Sequence, residues 1–250
     1  MTFCFDRRLW FALLVCLATS CPATAEDNHA ALYRAVTIVT GTDEPERSRG
    51  FAACMREVLV KLSGDPALTS APGMDDLAGR AGDFVTAFDY RDRMAGIPVH
   101  DEQGTRERPH YLAVEFSPPK IDAALRGLGG KPWLDRPVLS LDITVDNGAR
   151  KFPLVRDGAF GRDQRAALIE SAERLGLPIS FPEAQRTSEA EPVLTGALTW
   201  HPDKLEWSSR WSLALADQPR RWVATASSFD AVFRDALGRA VADLVAEAQP

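Results

Sequence analysis

The sequence predicts an α+β protein built from two small α/β units, and three observations lead to this prediction. Two segments carry apolar residues at helical spacing, one after Asp43 and one from about Phe229 to the end of the chain. Several segments alternate apolar and polar residues as strands do, most clearly residues 137–146. The glycine-rich stretch GLGGKPW, beginning at Gly127, separates the two patterns.

The first unit, residues 26–130, is predicted to have the order β-α-(α)-β-β-α. Its long helix is expected to begin after Asp43, a candidate N-cap, and to end at Gly64, because glycine readily adopts the left-handed conformation that terminates helices. Pro118-Pro119 opens its last helix. The three strands are predicted at residues 30–39, 84–92 and 110–117, and the short helix at 74–81.

The second unit, residues 131–250, is predicted to have the order β-α-β-β-β-β-α. Its first strand ends at Asn147-Gly148, a strong turn signal. A helix ending at Gly176 follows, with Leu168, Ile169, Ala172 and Leu175 as its apolar stripe. A short strand and an antiparallel meander come next, predicted over residues 177–182, 192–200, 204–216 and 220–227. The chain closes with an amphipathic helix, where Ser227 and Asp230 resemble a capping box.

Residues 1–25 have the three regions of a cleavable signal peptide. Arg7 and Arg8 are the positive region, Leu9 to Leu17 is apolar, and Ala23-Thr24-Ala25 is the small-x-small cleavage pattern. The apolar run is shorter than the ~20 residues that span a bilayer. We therefore expect export to the periplasm and cleavage after Ala25.

A lipid anchor at Cys21 is the alternative to simple secretion. Ala18 stands three residues before this cysteine, where a leucine is usual, so the sequence favours secretion without an acyl chain. Cleavage leaves Cys54 as the one remaining cysteine. Because Cys54 lies among apolar residues at helical spacing, we interpret it as a core residue.

Charge excludes one class of partner. The formal net charge is -6, whereas a nucleic-acid-binding protein needs clustered positive charge to displace counterions. After the signal, no apolar run is long enough to cross a membrane.

The GLGGKPW stretch has some features of a phosphate-binding loop but does not satisfy the motif. That loop needs glycine where Leu125 stands and serine or threonine where Pro132 stands, and it follows a strand. Here the glycines follow a predicted helix. We therefore interpret Gly127, Gly129 and Gly130 as the end of that helix.

No motif identifies catalytic residues, which stay unknown, and no cofactor or metal site is predicted. His110 and His201 border strands and could meet across the two units. Acidic pairs such as Asp75-Asp76 and Asp89 with Asp92 are typical of a solvated surface. Metal-ligand spacings such as Cys-x-x-Cys or His-x-x-x-His do not occur.

The tryptophans allow two interpretations. Trp207 and Trp211 share one side of a strand, with Trp200 and Trp222 on its expected neighbours. Exposed, they would be an aromatic platform for cell-wall glycans. The leucines on the same side favour core packing beneath the last helix.

The segments EVLVKLSGDPAL, GLGGKPW…RPVLSLDITVD and RLGLPISFP together resemble a family of exported proteobacterial proteins known only as a domain of unknown function. The resemblance extends from about Leu32 to the final helix. It implies a cell-envelope location and transfers no active site. By element order alone, the second unit is also similar to small domains of periplasmic assembly proteins, such as the N-terminal domain of TolB.

From these observations we expect a non-catalytic periplasmic protein that contacts another envelope protein. The alternative is a periplasmic hydrolase whose active site lies between the two units. A concave pocket gathering titratable residues would favour the enzyme, and an exposed apolar patch would favour the binding protein.

Overall fold

The computed structural model describes residues 25–97, 107–183, 192–215 and 217–248. These residues form two sheets, each covered on one face by helices, with a long helix at the C-terminal end. The predicted α+β class is confirmed. The predicted signal peptide lies outside the described residues except for Ala25, so export stays a prediction.

The first sheet has three antiparallel strands in the order β1-β3-β2. Its strands are β1 (Arg34–Thr40), β2 (Val85–Asp92) and β3 (Pro109–Phe116). The helices of this unit are α1 (Ala25–Leu32), α2 (Glu44–Ser63), α3 (Met74–Gly79) and α4 (Pro118–Gly127), with 3-10 segments at Pro66–Ser70 and Ala81–Phe84.

Helix α2 packs on one face of this sheet and forms the first hydrophobic core. Its apolar stripe, which includes Met55, Val58 and Leu59, is fully buried. Gly50 faces the strands, where a Cβ atom would overlap the side chains of Leu112 and Val39. The missing side chain therefore allows the helix to approach the sheet closely.

The second sheet has the order β5-β4-β7-β8-β9. Strand β6 pairs with the first residues of β4, and β5 pairs with its last residues. Strands β4 and β7 are parallel, whereas β7, β8 and β9 form the predicted antiparallel meander. The bounds of this unit are β4 Leu139–Asp146, β5 Lys151–Pro153, α5 Arg162–Leu175, β6 Ile179–Ser180, β7 Val193–His201, β8 Glu206–Ala214, β9 Arg220–Ala226 and α6 Phe229–Ala248.

Helices α5 and α6 contribute to the second hydrophobic core, on the inner face of this sheet. The predicted alternation of β4 is confirmed, because Leu139, Leu141, Ile143 and Val145 are buried. The predicted stripe of the last helix is also buried from Val232 to Leu244.

Several helix ends are confirmed. Gly64 follows α2 with a φ of 71°, and its amide donates to the carbonyl of Val60. The glycine-rich stretch ends α4 as expected, with the Gly130 amide donating to the carbonyl of Leu125. Asp43 stands at the N-cap position of α2, although its side chain makes no capping hydrogen bond.

The predicted first strand starts too early. Residues up to Leu32 belong to α1, and β1 begins at Arg34. The three alanines, the glutamate and the leucine of AEDNHAAL favour helix, and Leu32 and the neighbouring Tyr33 bury their side chains in the first core. The β-branched residues begin only after that point.

Three details of the second unit were also wrong. Ile169, predicted in the apolar stripe of α5, is 43% exposed, and Ala167 and Ser171 are buried instead. Strand β5 was missed, because a three-residue segment shows too little alternation. The hydroxyl that receives an amide hydrogen bond at the start of α6 belongs to Ser228, one residue later than predicted.

Arg136 connects the two units. Its guanidinium donates to the carbonyls of Trp133 and Leu175, both at 2.8 Å, and to that of Lys61. The same group lies 4.5 Å from the ring centroid of Trp133. It thereby satisfies carbonyls at the C-terminal ends of both α2 and α5. Burial lowers the pKa of Arg136 to about 10, so the side chain stays charged at neutral pH.

The boundary predicted at residue 130 lies just before this connection. Trp133 packs in the second core, while Leu134 packs against the first. In the described parts of the chain, no helix has the length and apolar character needed to cross a membrane.

Candidate functional site

The two histidines that the sequence singled out lie on different sheets. His110 is on β3, where its Nδ1 is 2.8 Å from the carbonyl oxygen of Arg108 and its ring is edge-on to Tyr90. His201 is on β7, where its Nε2 is 2.7 Å from the hydroxyl of Ser208. Each histidine therefore has its hydrogen-bond partner within its own unit, and these contacts do not bring the two histidines together.

The distance between His201 and Ser208 is that of a nucleophile and its general base. Acyl transfer also needs amide donors that point at the developing oxyanion. Ser208 sits in the middle of a ladder, opposite Thr199 on one side and Thr225 on the other. Because β8 is paired on both edges here, the strand offers no oxyanion hole beside the hydroxyl, and we interpret the contact as a cross-strand hydrogen bond.

Two of the acidic side chains from the sequence analysis, Asp75 and Asp92, have structural partners. Asp75 accepts a hydrogen bond from Arg56 at 2.6 Å. Asp92 accepts from the Met94 amide and from Arg108, and these contacts lower the pKa of the Asp92 carboxyl. A carboxyl with a lowered pKa is a poor general acid. Across the described ranges, no three histidine, cysteine or acidic side chains gather as a metal site would require.

The tryptophans pack in the core. Trp207 is 8% exposed and Trp211 is 2% exposed. Their rings meet those of Phe229 and Phe233 on α6. The core interpretation of this pair is confirmed, and the glycan platform is excluded because neither ring is available to a ligand.

The thiol of Cys54 is also buried, as predicted. It has no exposed surface, and burial raises its pKa to about 12. A thiol is nucleophilic as its thiolate, so this residue is chemically protected in the folded protein.

A shallow depression lies on the outer face of the second sheet. Its volume is about 260 Å³. Ala197 lies between Thr144 and Arg210 in a cross-strand row, and its small side chain leaves space between these two longer ones. The charged residues at its rim are Asp142, Asp146, Lys151 and Arg210. Neither His201 nor Ser208 lines it. The polar side of β4 was visible in the sequence, but the neighbours that complete the depression come from distant strands.

The outer face of the first sheet is different, because it is apolar at its centre. Val36 and Ile38 of β1 are 45% and 51% exposed, while Ala35 and Val39 on the same strand are buried. Ala113 and Tyr111 of β3 lie beside them in register. We call the group Val36, Ile38, Tyr111 and Ala113 the outer apolar patch.

Two arginines border the outer apolar patch. Arg91 of β2 is the register partner of Tyr111, and its guanidinium carbon is 4.9 Å from the ring centroid. The guanidinium carbon of Arg93 is 5.1 Å from the same centroid. Sequence analysis missed this patch, although β1 carries apolar residues at consecutive positions and not only at alternate ones.

Comparisons with known proteins agree with the sequence-based resemblance at a coarse level. Residues 27–134 match the model of a domain of unknown function, DUF8605. This segment is shorter than the range expected from the resemblance, and it contains the whole outer apolar patch. An exported, proteobacterial origin stays a prediction.

No curated protein matches the chain. One solved structure, titled "Crystal structure of uncharacterized protein", aligns with 46% of this chain and 92% of its own at 11% identity and a TM-score of 0.25.

Proposed function

We propose that this is an exported, non-catalytic protein that binds another protein of the cell envelope through the outer apolar patch. The observation that carries the proposal is the exposure of Val36 and Ile38 on a sheet face that no described helix covers. Isolated exposed apolar side chains are common, but adjacent ones on a rigid sheet are typical of interaction surfaces.

Export is supported by the sequence of residues 1–25, with their positive region, apolar run and small-x-small cleavage pattern. The mature chain would then begin at Glu26, immediately before the segment that matches the domain of unknown function. A periplasmic location would place the outer apolar patch in contact with envelope proteins.

The hydrolase alternative has less support. Its candidate histidines have separate partners on separate sheets. The junction between the units is filled by the Arg136 guanidinium and the Trp133 ring. The titratable side chains that do gather are those around the depression on the second sheet, and neither histidine lines it.

Site-specific photocrosslinking in intact cells tests the proposal. A benzophenone side chain introduced at Ile38 should give an adduct of one discrete mass, and Val36→Asp in the same chain should remove it. Val223 is the matched control, because it is an apolar strand residue that is 70% exposed on the second sheet.

Equal crosslinking from Ile38 and Val223, or none from either, would contradict binding through this patch. Mass spectrometry of the fractionated protein tests export separately. We expect an N-terminus at Glu26 in the periplasmic fraction, and an intact N-terminus in the cytoplasm would refute it.

A further inference from the structure

We infer that the partner presents a carboxylate beside aliphatic side chains, and that Arg91 and Arg93 bind this carboxylate at the border of the outer apolar patch. This inference rests on the proposed function, because it specifies the chemistry of the partner for the same surface. It follows from the charge, the position and the fixed geometry of the two arginines.

The charge of this border contrasts with that of the chain. The protein carries a formal net charge of -6, yet the patch is bordered by two adjacent guanidinium groups. At the opposite end of the same face, Arg34 is paired with Glu115 at 3.8 Å. Within the part of the chain that the structure describes, neither Arg91 nor Arg93 forms an ion pair with a carboxylate. A carboxylate on the same face of β2, Asp89, is the register partner of Ala113. Because neither guanidinium is bound to it, we infer that both can bind a carboxylate of the partner.

Both guanidinium groups are held in place. Each lies about 5 Å from the ring centroid of Tyr111, a distance at which cation and ring attract each other. The amide of Arg93 also donates to the carbonyl of Pro109 at 3.1 Å, which extends the pairing of β2 beyond Asp92. Stacked arginines lose less side-chain entropy on binding, and their planar donors match a carboxylate.

The apolar and charged groups lie in one cross-strand row. Ile38 of β1 is opposite Tyr111 of β3, and Tyr111 is opposite Arg91 of β2. Neighbouring strands are about 4.8 Å apart, so Ile38 and Arg91 are separated by roughly 10 Å. In an extended segment that crosses the strands, side chains on the same face are two residues apart, or about 7 Å. An aliphatic side chain and a glutamate at that spacing can contact Ile38 and Arg91 together, because the long glutamate and arginine side chains cover the rest of the distance.

A protein segment fits this surface better than an anionic bilayer does. Exposed aliphatic residues beside arginines are also found on proteins that bind lipid surfaces. However, the surface potential of an anionic bilayer falls off within a Debye length and contributes about 1 kcal/mol per nearby arginine, so two arginines attract a bilayer only weakly compared with the clusters of about four to eight basic residues typical of such proteins. A single carboxylate on a partner requires only the two local guanidinium groups.

The test uses the purified mature chain labelled with nitrogen-15 and two capped pentapeptide probes. One probe is Ser-Val-Ser-Glu-Ser, which presents valine and glutamate on the same face when it is extended, and the other replaces the glutamate with glutamine. In an NMR titration, the glutamate peptide should shift the side-chain resonances of Arg91 and Arg93 and bind at least about tenfold more tightly. The double variant R91Q/R93Q should remove this difference, and Ile38→Ser should weaken both probes.

The outcomes separate the inference from the proposed function. Equal affinity for the two peptides, or no binding of either, overturns the carboxylate inference, while a persistent crosslink from Ile38 would leave the proposed function standing. Loss of both the crosslink and the peptide binding would refute both. Sedimentation with phosphatidylglycerol vesicles that depends on Arg91 and Arg93 would assign the surface to lipid and overturn the inference. Val223→Ser serves as a control variant for folding.

Discussion

Replacing Arg136 with methionine tests how the two units are joined. The guanidinium makes three close hydrogen bonds, to the carbonyls of Trp133, Leu175 and Lys61. A hydrogen bond from a charged donor contributes about 1.5–3 kcal/mol, and the lower value suits a partly exposed site, so the three sum to about 4.5 kcal/mol. Because released carbonyls regain some water, we expect R136M to lower the free energy of unfolding by about 3 kcal/mol.

Arg136→Lys is the matched control, because it keeps the charge but not the planar fork. One ammonium group cannot reach carbonyls at the ends of two helices and at Trp133 together. We therefore expect R136K to lose about 2 kcal/mol. Methionine keeps an apolar side chain beside the Trp133 ring. The stability that R136M loses therefore reports the hydrogen bonds and the charge, and not the packing of the stem.

The assay is urea unfolding followed by two probes. After residue 25, every tryptophan lies at position 133 or later, so tryptophan fluorescence reports the second unit. Far-ultraviolet circular dichroism reports both units. The two curves should coincide in the wild type and separate in R136M, because the helix ends of the two units then lose their shared partner.

Two results would refute this account of the junction. One is a loss below about 1 kcal/mol in R136M, which would mean that water replaces the guanidinium at little cost. The other is wild-type stability in R136K, which would show that the charge matters and the fork does not.

The remaining predictions concern single side chains. Gly196→Ala should destabilise the protein by about 1–3 kcal/mol in thermal unfolding, because the new methyl group would overlap the Trp211 ring, and equal stability would contradict this packing. Gly238→Ala, whose methyl would meet open space in α6, should instead be neutral or stabilising in the same measurement. Cys54, with a pKa raised to about 12 by burial, should react with a disulfide reagent only after unfolding is induced, and rapid native labelling would contradict its burial. Burial raises the pKa of Glu57, because it favours the protonated carboxyl in the folded protein. The stability that the protonated Glu57 contributes is therefore fully present below the ordinary pKa of 4.5 and is lost as the pH rises through the folded-state pKa. Glu57→Gln should therefore become progressively more stable than the wild type across that rise, and parallel pH profiles of unfolding would refute the shift.

Local features were predictable because their causes are local. The end of α2 at Gly64 follows from the left-handed backbone that glycine adopts easily. The inward alternation of β4 follows from the two-residue period of a strand with one buried face. Burial of Trp207 and Trp211 was predictable because leucines share their side of β8 and an amphipathic helix follows.

Other features depended on partners that are distant in sequence. The alternation of β1 does not show which strand lies beside it, and β3, more than 60 residues later, is its neighbour. The role of Arg136 could not be predicted from the sequence, because its carbonyl partners come from the ends of two separate helices. The outer apolar patch likewise needs β1, β2 and β3 side by side before Ile38, Tyr111 and Arg91 form one row.

The amino-acid sequence by itself determined the α+β class, most helix and strand positions and the core tryptophans, since propensity and periodicity act over a few neighbouring residues. The sequence also carries the expectation of export. Tertiary structure decided which strands pair, that β4 and β7 run parallel, and that His110 and His201 have separate partners. It also brought Arg91 and Arg93 to the ring of Tyr111 beside exposed aliphatic residues. These arrangements depend on packing between residues that are distant in sequence. When one face of a sheet is buried in the core, the alternate side chains of each strand are exposed on the opposite face.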